Sequence, residues 1–154
     1  MYLDETGISQ RIVRESGWAE RGKKIRERLS GKREKRINGR AAYTQGQIIA
    51  PRLYQGSLNT PFFNLYLETC LLPELKPGPV VVMDNASFHK SQRTRELIEE
   101  KGCTWLFLPP YSPDLNPIEH LWSLLKAEVR RVRSQFSSLS QVLEHLFFSH
   151  PLFS

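Results

Sequence analysis

Apolar positions fall into short blocks whose spacing changes along the chain. Tyr2 to Ile8 opens with a β-compatible stretch that ends at Gly7, predicting a short first strand. Ile37 to Tyr43 and Gln47 to Tyr54 follow; the second block comes after a Gly turn and carries Ile48, Ile49, Leu53 and Tyr54, so the two predict a hairpin. Thr60 reads as an N-cap with Pro61 at the first helical position. Phe62, Phe63, Leu65, Tyr66, Leu67 and Leu71 give the helix that follows a broad apolar face. After the Pro77-Gly78-Pro79 breaker, Val80-Val81-Val82-Met83 is a continuous apolar run, as expected of a central strand covered on both faces, and it stops at Asp84. Ser91 to Lys101 then predicts a helix and Thr104 to Leu108 another buried strand. Pro117 to Arg133 predicts a long amphipathic helix and Leu139 to Phe148 a last one.

Three strands followed by helix, strand, helix, strand and helix predict an α/β fold, a five-stranded mixed sheet with helices on both faces. In such sheets ligands collect at the carboxyl ends of central strands, which is where Asp84 falls. The 154 residues suit one domain, and 40% hydrophobic with 25% charged residues excludes wholesale disorder. A net charge of +6 draws a protein towards polyanions, nucleic acid first, although mild basicity also serves solubility alone. The densest basic stretch, Arg21 to Arg40, is interrupted by Gly22, Gly31 and Gly39. It reads as a mobile loop running into the strand near Ile37 to Tyr43, and it either grips phosphates or contacts a partner subunit. Cys70 and Cys103 form no CxxC pair and lie in apolar segments, so buried free thiols in a reducing cytoplasm are expected. The start MYLDETG has no basic and apolar signal pattern. No apolar run approaches the roughly 20 residues of a membrane-spanning helix, so no membrane association is expected.

Candidate chemistry lies in three carboxylates at the ends of three elements: Asp4, Asp84 and Glu119. Magnesium prefers hard oxygen ligands, and two divalent ions about 4 Å apart serve phosphodiester cleavage by activating the nucleophile and stabilising the leaving oxygen. Each residue also has a plainer explanation. Asp4 reads as a strand-end turn residue, with Glu5 its competitor for the inward position, because alternation admits only one of them to a given face. Asp84-Asn85 reads as a loop start, where both side chains bond locally. Glu119 sits three residues after Asn116, with Pro117 between them, the spacing of a capping box.

Taken together, Tyr2-Leu3-Asp4-Glu5-Thr6-Gly7, Val82-Met83-Asp84-Asn85-Ala86-Ser87-Phe88-His89-Lys90 and the run from Leu108 through Tyr111, Asn116, Pro117 and Glu119 to Trp122 resemble one family. It is the mariner-type superfamily of transposases, in its bacterial insertion-sequence branch with an Asp, Asp, Glu triad. In that branch 34 residues typically separate the second Asp from the Glu, as here between Asp84 and Glu119. The resemblance spans nearly the whole chain and implies a ribonuclease-H-like fold with an antiparallel second strand. It implies that Asp4, Asp84 and Glu119 are both catalytic and ligands of two magnesium ions, with manganese as a substitute. The implied activity is cut-and-paste transposition, cleaving and joining double-stranded DNA at element ends and at a TA target, by a homodimer in the synaptic complex. Asn85 and His89 match the family's DNAxxH stretch and are assigned to organising the site, with a satisfied structural histidine the equal alternative. Such transposases begin with helix-turn-helix modules. None precedes the first strand here, so the expectation is a single catalytic domain over 1–154 served by a helix-turn-helix partner segment, or a decayed copy.

Along the helix after Pro117, the stripe Ile118, Leu121, Trp122, Leu125, Val129 and Val132 faces the core. A second stripe joins Glu119 and Ser123 to Lys126, Arg130 and Arg133. It is either a DNA-binding track continuous with the site or a solvated charged face. Two other functions compete with transposition: a nuclease or resolvase that only hydrolyses, and a non-catalytic DNA-binding or assembly module.

Overall fold

The computed structural model describes residues 1–9, 36–110 and 112–149. Five strands form one sheet: β1 (Tyr2–Ile8), β2 (Ile37–Thr44), β3 (Gln47–Tyr54), β4 (Val80–Met83) and β5 (Thr104–Phe107). Their spatial order is β3-β2-β1-β4-β5, with β2 antiparallel to both its neighbours and β4 parallel to β1 and β5. This is the ribonuclease-H-like arrangement. β1 runs through Gly7 to Ile8, which is fully buried, so the glycine does not end the strand.

The hairpin between β2 and β3 closes at Gln45 and Gly46, both at positive φ (49° and 83°), as a two-residue turn with the twist of the flanking strands requires. The ladder slips between Arg40 and Ala42, and across from that slip Ala50 sits at φ 50°. An L-residue held there is strained, and its backbone groups leave the ladder for side chains. Its N–H donates to Glu74 Oε2 (3.2 Å) and its carbonyl accepts from Tyr66 Oη (3.0 Å).

The helices are α1 (Thr60–Tyr66), which continues through a π-turn at Leu67–Leu71 into α2 (Leu72–Glu74), then α3 (Gln92–Glu100), α4 (Ile118–Val132) and α5 (Leu139–Ser149). Asn59, not Thr60, caps α1: its side chain accepts from the Phe62 amide, which places Thr60 and Pro61 inside the first turn. Only part of the expected apolar face of that helix is covered. Phe63, Tyr66, Leu67 and Leu71 are buried, while Phe62 and Leu65 face outward. Ser91 caps α3 by accepting from Thr94 N.

Alternation along the strands separates two cores. On one face Ile8, Ala41 and Ile37 pack with Ile118, Trp122, Leu125 and Val129 of α4 and Leu143 and Phe147 of α5. On the other, Leu3, Ala42, Val81 and Met83 pack with Phe63, Leu67, Leu71 and Ile98. Helices thus cover both faces, but unevenly. β5 is an edge strand, and α4 and α5 lie over the β1 to β3 side, so Leu106 stays 52% exposed and β5 is half-covered rather than buried. Of the two free cysteines, Cys103 is buried and Cys70 only half-buried. Among the described residues no helix is long and apolar enough to cross a membrane.

Most of the Arg21 to Arg40 stretch, and Tyr111, lie outside the described residues. Arg40 lies in the expected strand, β2, but as a buried residue, 1% exposed, and not as a solvated cation.

Candidate active site

Parallel pairing of β1 with β4 in the register Tyr2↔Val82 and Leu3↔Met83 fixes the site. The next residue on each strand is an aspartate. Asp4 and Asp84 therefore stand side by side where β4 ends, while β1 carries on beside β2. Glu119 enters from the first turn of α4, whose buried stripe of Ile118, Leu121, Trp122, Leu125 and Val129 locks the helix onto the sheet. All three carboxylates line one cleft of about 400 Å³, walled by Asn85, Ala86, Leu108, Pro109 and Asn116.

Hydrogen bonds hold the two aspartates. Asp4 Oδ1 accepts from the Glu5 amide (2.7 Å) and Oδ2 from Asn116 Nδ2 (3.0 Å). Asp84 Oδ1 accepts from the Ala86 amide (3.1 Å) and lies 2.7 Å from His89 Nδ1. Asn116 therefore does not cap α4; its side chain turns to Asp4, Pro117 takes the cap position, and no side-chain cap bond forms. The capping account of Glu119 falls with it, since Asn116 offers the helix only its backbone carbonyl, to Glu119 N (3.0 Å).

Charge is crowded here. Burial, with the nearby charges of Glu119 and Asp84, pushes the Asp4 carboxyl from 3.8 up to about 6 against the hydrogen bond from Glu5 N. The buried Trp122 indole N–H, on the same side of the sheet, has no acceptor within hydrogen-bond reach. Asp84 goes the other way: burial raises its carboxyl, but the hydrogen bond and charge of His89, with the Ala86 amide, bring it below the usual range. His89 is itself raised. Burial opposes its charge, and the Asp84 and Glu5 carboxylates outweigh that. Among the described residues no three His, Cys, Asp or Glu side chains are gathered tightly enough to hold one metal ion as they stand. Three like charges sharing a cleft repel one another, and a divalent cation is the species that would draw them in. The all-oxygen donor set suits that cation.

The other predicted residues are placed as follows. Asn85 lines the cleft, and the bonds that hold Asp84 come from Ala86 and His89 instead. His89 is buried behind Asp84 with its ring against Phe63 and Phe88. Lys126 is half-buried and Arg130 exposed on α4, while Arg133 is partly engaged, donating from Nη1 to the Phe136 carbonyl (2.8 Å). Glu5 turns away from the cleft that holds the three carboxylates, into a network with Arg40, Tyr54 and His89 that the sequence pattern did not reveal. The strand register carried its signal, because Glu5 and Arg40 are direct cross-strand partners.

Residues 1–143, including all three carboxylates, match the sequence profile of the DDE superfamily endonucleases. The chain belongs to this family. Among relatives, this DDE endonuclease is 39% identical over 67 residues to the Tcb2 transposase of Caenorhabditis briggsae, covering 44% of this chain and 24% of that one. It is 50% identical over 42 residues to the Tc3 transposase of Caenorhabditis elegans, covering 27% and 13%. The matched segments thus span less than a quarter of these relatives. In structure it resembles Mos1 in its strand transfer complex, with a TM-score of 0.70 at 21% identity, over 96% of this chain and 46% of that one. That likeness is one of fold.

Proposed function

We propose that the chain is the catalytic domain of a transposase of the Tc1/mariner kind, cutting double-stranded DNA at element ends and joining them to a target. The observation that carries this reading is the β1–β4 register, which sets Asp4 beside Asp84 with Glu119 across the same cleft. Asp4, Asp84 and Glu119 would hold two divalent ions, magnesium or manganese in its place. The chemistry such ions supply is activation of the attacking hydroxyl and stabilisation of the leaving oxygen. The protein's own part is to fix the carboxylates: the Glu5 amide and Asn116 aim Asp4, the Ala86 amide and His89 aim Asp84, and the core stripe of α4 aims Glu119. A TA target, a homodimeric synaptic complex, a helix-turn-helix segment that reads the element ends and action in the cytoplasm complete the reading. They are carried by the family resemblance. Strand joining tests it: pre-cleaved element ends, a target plasmid and magnesium are expected to give joined products with this chain and its helix-turn-helix segment. Nicking without joining would overturn transposition in favour of hydrolysis alone.

Lys126 and Arg130 extend the face that starts at Glu119, and we assign them to phosphate contacts. Each phosphate contact contributes roughly 0.9 to the slope of log affinity against log salt. Replacing both with Ala is expected to weaken DNA binding by this chain and flatten that slope by about 2, measured by fluorescence anisotropy across a salt series. A folded double variant with the wild-type affinity and slope would make the face merely solvated.

A further inference from the structure

Behind the carboxylate cleft lies a buried charge that the proposed chemistry does not use. Arg40 is 1% exposed on β2, its guanidinium 4.8 Å from the Phe63 ring centre, 4.9 Å from that of Tyr66 and 5.7 Å from that of Tyr54. A buried ion pair contributes little to stability on balance, and well-packed apolar residues often replace one at no loss. Its geometry points elsewhere. Arg40 donates from Nε (3.0 Å) and Nη2 to Glu5 Oε1, and Tyr54 Oη donates to Glu5 Oε2 (3.1 Å). Both oxygens of Glu5 are thus engaged away from the cleft. Beyond them, His89 Nε2 stands 3.8 Å from Glu5 Oε1, too far for a direct hydrogen bond but within ion-pair reach, and nothing else within hydrogen-bond distance meets that nitrogen. The opposite ring nitrogen, Nδ1, is the one 2.7 Å from Asp84 Oδ1. Phe63 and Phe88 pack against the imidazole with ring centres 4.4 and 4.3 Å away, which limits its tilt.

We propose that Glu5 and Arg40 are positioning residues that act through His89 to hold Asp84 in the orientation a divalent metal requires. The inference rests on the metal-binding reading above. It links four side chains from β2, β1, the turn at Ser87–His89 and the end of β4 in one line. Each member is fixed from two sides: Arg40 by aromatic rings and Glu5, Glu5 by Arg40 and Tyr54, His89 by two rings and two carboxylates. Asp84 Oδ1 takes the Ala86 amide and the close contact of His89 Nδ1, whose other neighbour is the Asp84 main-chain carbonyl at 3.4 Å, and neither contact engages Oδ2. Groups that orient a metal's ligands in this manner typically change metal affinity by roughly 10- to 100-fold when removed.

Manganese binding by titration calorimetry on the chain itself tests the relay without any DNA reaction. The joint change Glu5→Gln with Arg40→Met removes both charges together, so neither is left uncompensated; Glu5→Gln with Arg40→Gln, which keeps a polar group at each position, is the second variant should the first pair fail to fold. Either is expected to weaken manganese binding roughly tenfold or more. In a His89→Ala background the same change is expected to alter affinity by less than about twofold, because residues acting through one partner are not additive. A folded variant with wild-type affinity, or an equal loss in both backgrounds, overturns the relay. Binding that Asp84→Asn abolishes and the pair variant leaves intact overturns the relay alone. No binding by the wild-type chain overturns the metal reading and the relay with it.

Discussion

Replacing Glu119 with Gln is expected to lower DNA cleavage and strand transfer by at least about 100-fold while the melting temperature and DNA affinity stay near those of the wild type. In the proposed mechanism the chemistry depends on an anionic oxygen at that position, and a neutral amide is a poor magnesium ligand. Stability does not depend on it. Glu119 is exposed in the first turn of α4, and the Asn116 side chain that a capping box would need is committed to Asp4. Had Glu119 been a capping partner, its loss would cost about 0.5–2 kcal/mol, and activity would follow the melting temperature. The check is cleavage of an element-end duplex alongside thermal unfolding of the same preparations. A folded Glu119→Gln protein with near-normal turnover would move the third ligand elsewhere.

Asp84 and Glu119 were legible because each sits where a pattern breaks. The apolar run Val80 to Met83 has no use for an aspartate, and after 34 intervening residues a carboxylate opens an amphipathic helix. The mixed sheet followed from the alternation of strands and helices, and the antiparallel pairing of β2 with β3 from the short hairpin at Gln45-Gly46, whereas the spatial order of the strands had no local signal. What the sequence could not state was lateral packing. A continuous apolar run reads the same in a central strand and in an edge strand, so Thr104 to Phe107 gave no sign that α4 and α5 lie towards the other side of the sheet. Arg40 was hidden for a similar reason: at the end of a basic run it looks solvated, and only its pairing opposite Glu5 takes it into the interior. Asn116 before a proline looks like a cap until tertiary structure brings Asp4 to it.

That same crowding makes Asp4 a source of instability in the metal-free protein. Burial and the charges of Glu119 and Asp84 hold its carboxyl at about 6 rather than 3.8, so between those values the folded chain binds a proton that the unfolded chain has lost. Stability from this group is therefore present below about pH 4 and lost as pH rises to about 6, by roughly 3 kcal/mol. Asp84 and Glu5 are lowered and act in the opposite sense, withdrawing stability as pH falls through their folded values, so the Asp4 contribution appears as a difference between proteins. Asp4→Asn keeps an acceptor for the Glu5 amide and carries no charge. At pH 7 it is expected to unfold at higher denaturant than the wild type, with the gap closing towards pH 4, while DNA cleavage is lost. A divalent cation should narrow the gap at pH 7 from the other side by stabilising only the wild type, since mass action favours the state that binds it. Denaturant unfolding of both proteins across that range, with and without magnesium, makes the measurement. A constant difference between pH 4 and 7 would mean that Asp4 is not held near 6, and with it that the three carboxylates do not crowd the cleft. A gap that opens with pH and closes with magnesium is the signature of a residue that costs the fold stability because the metal needs its charge.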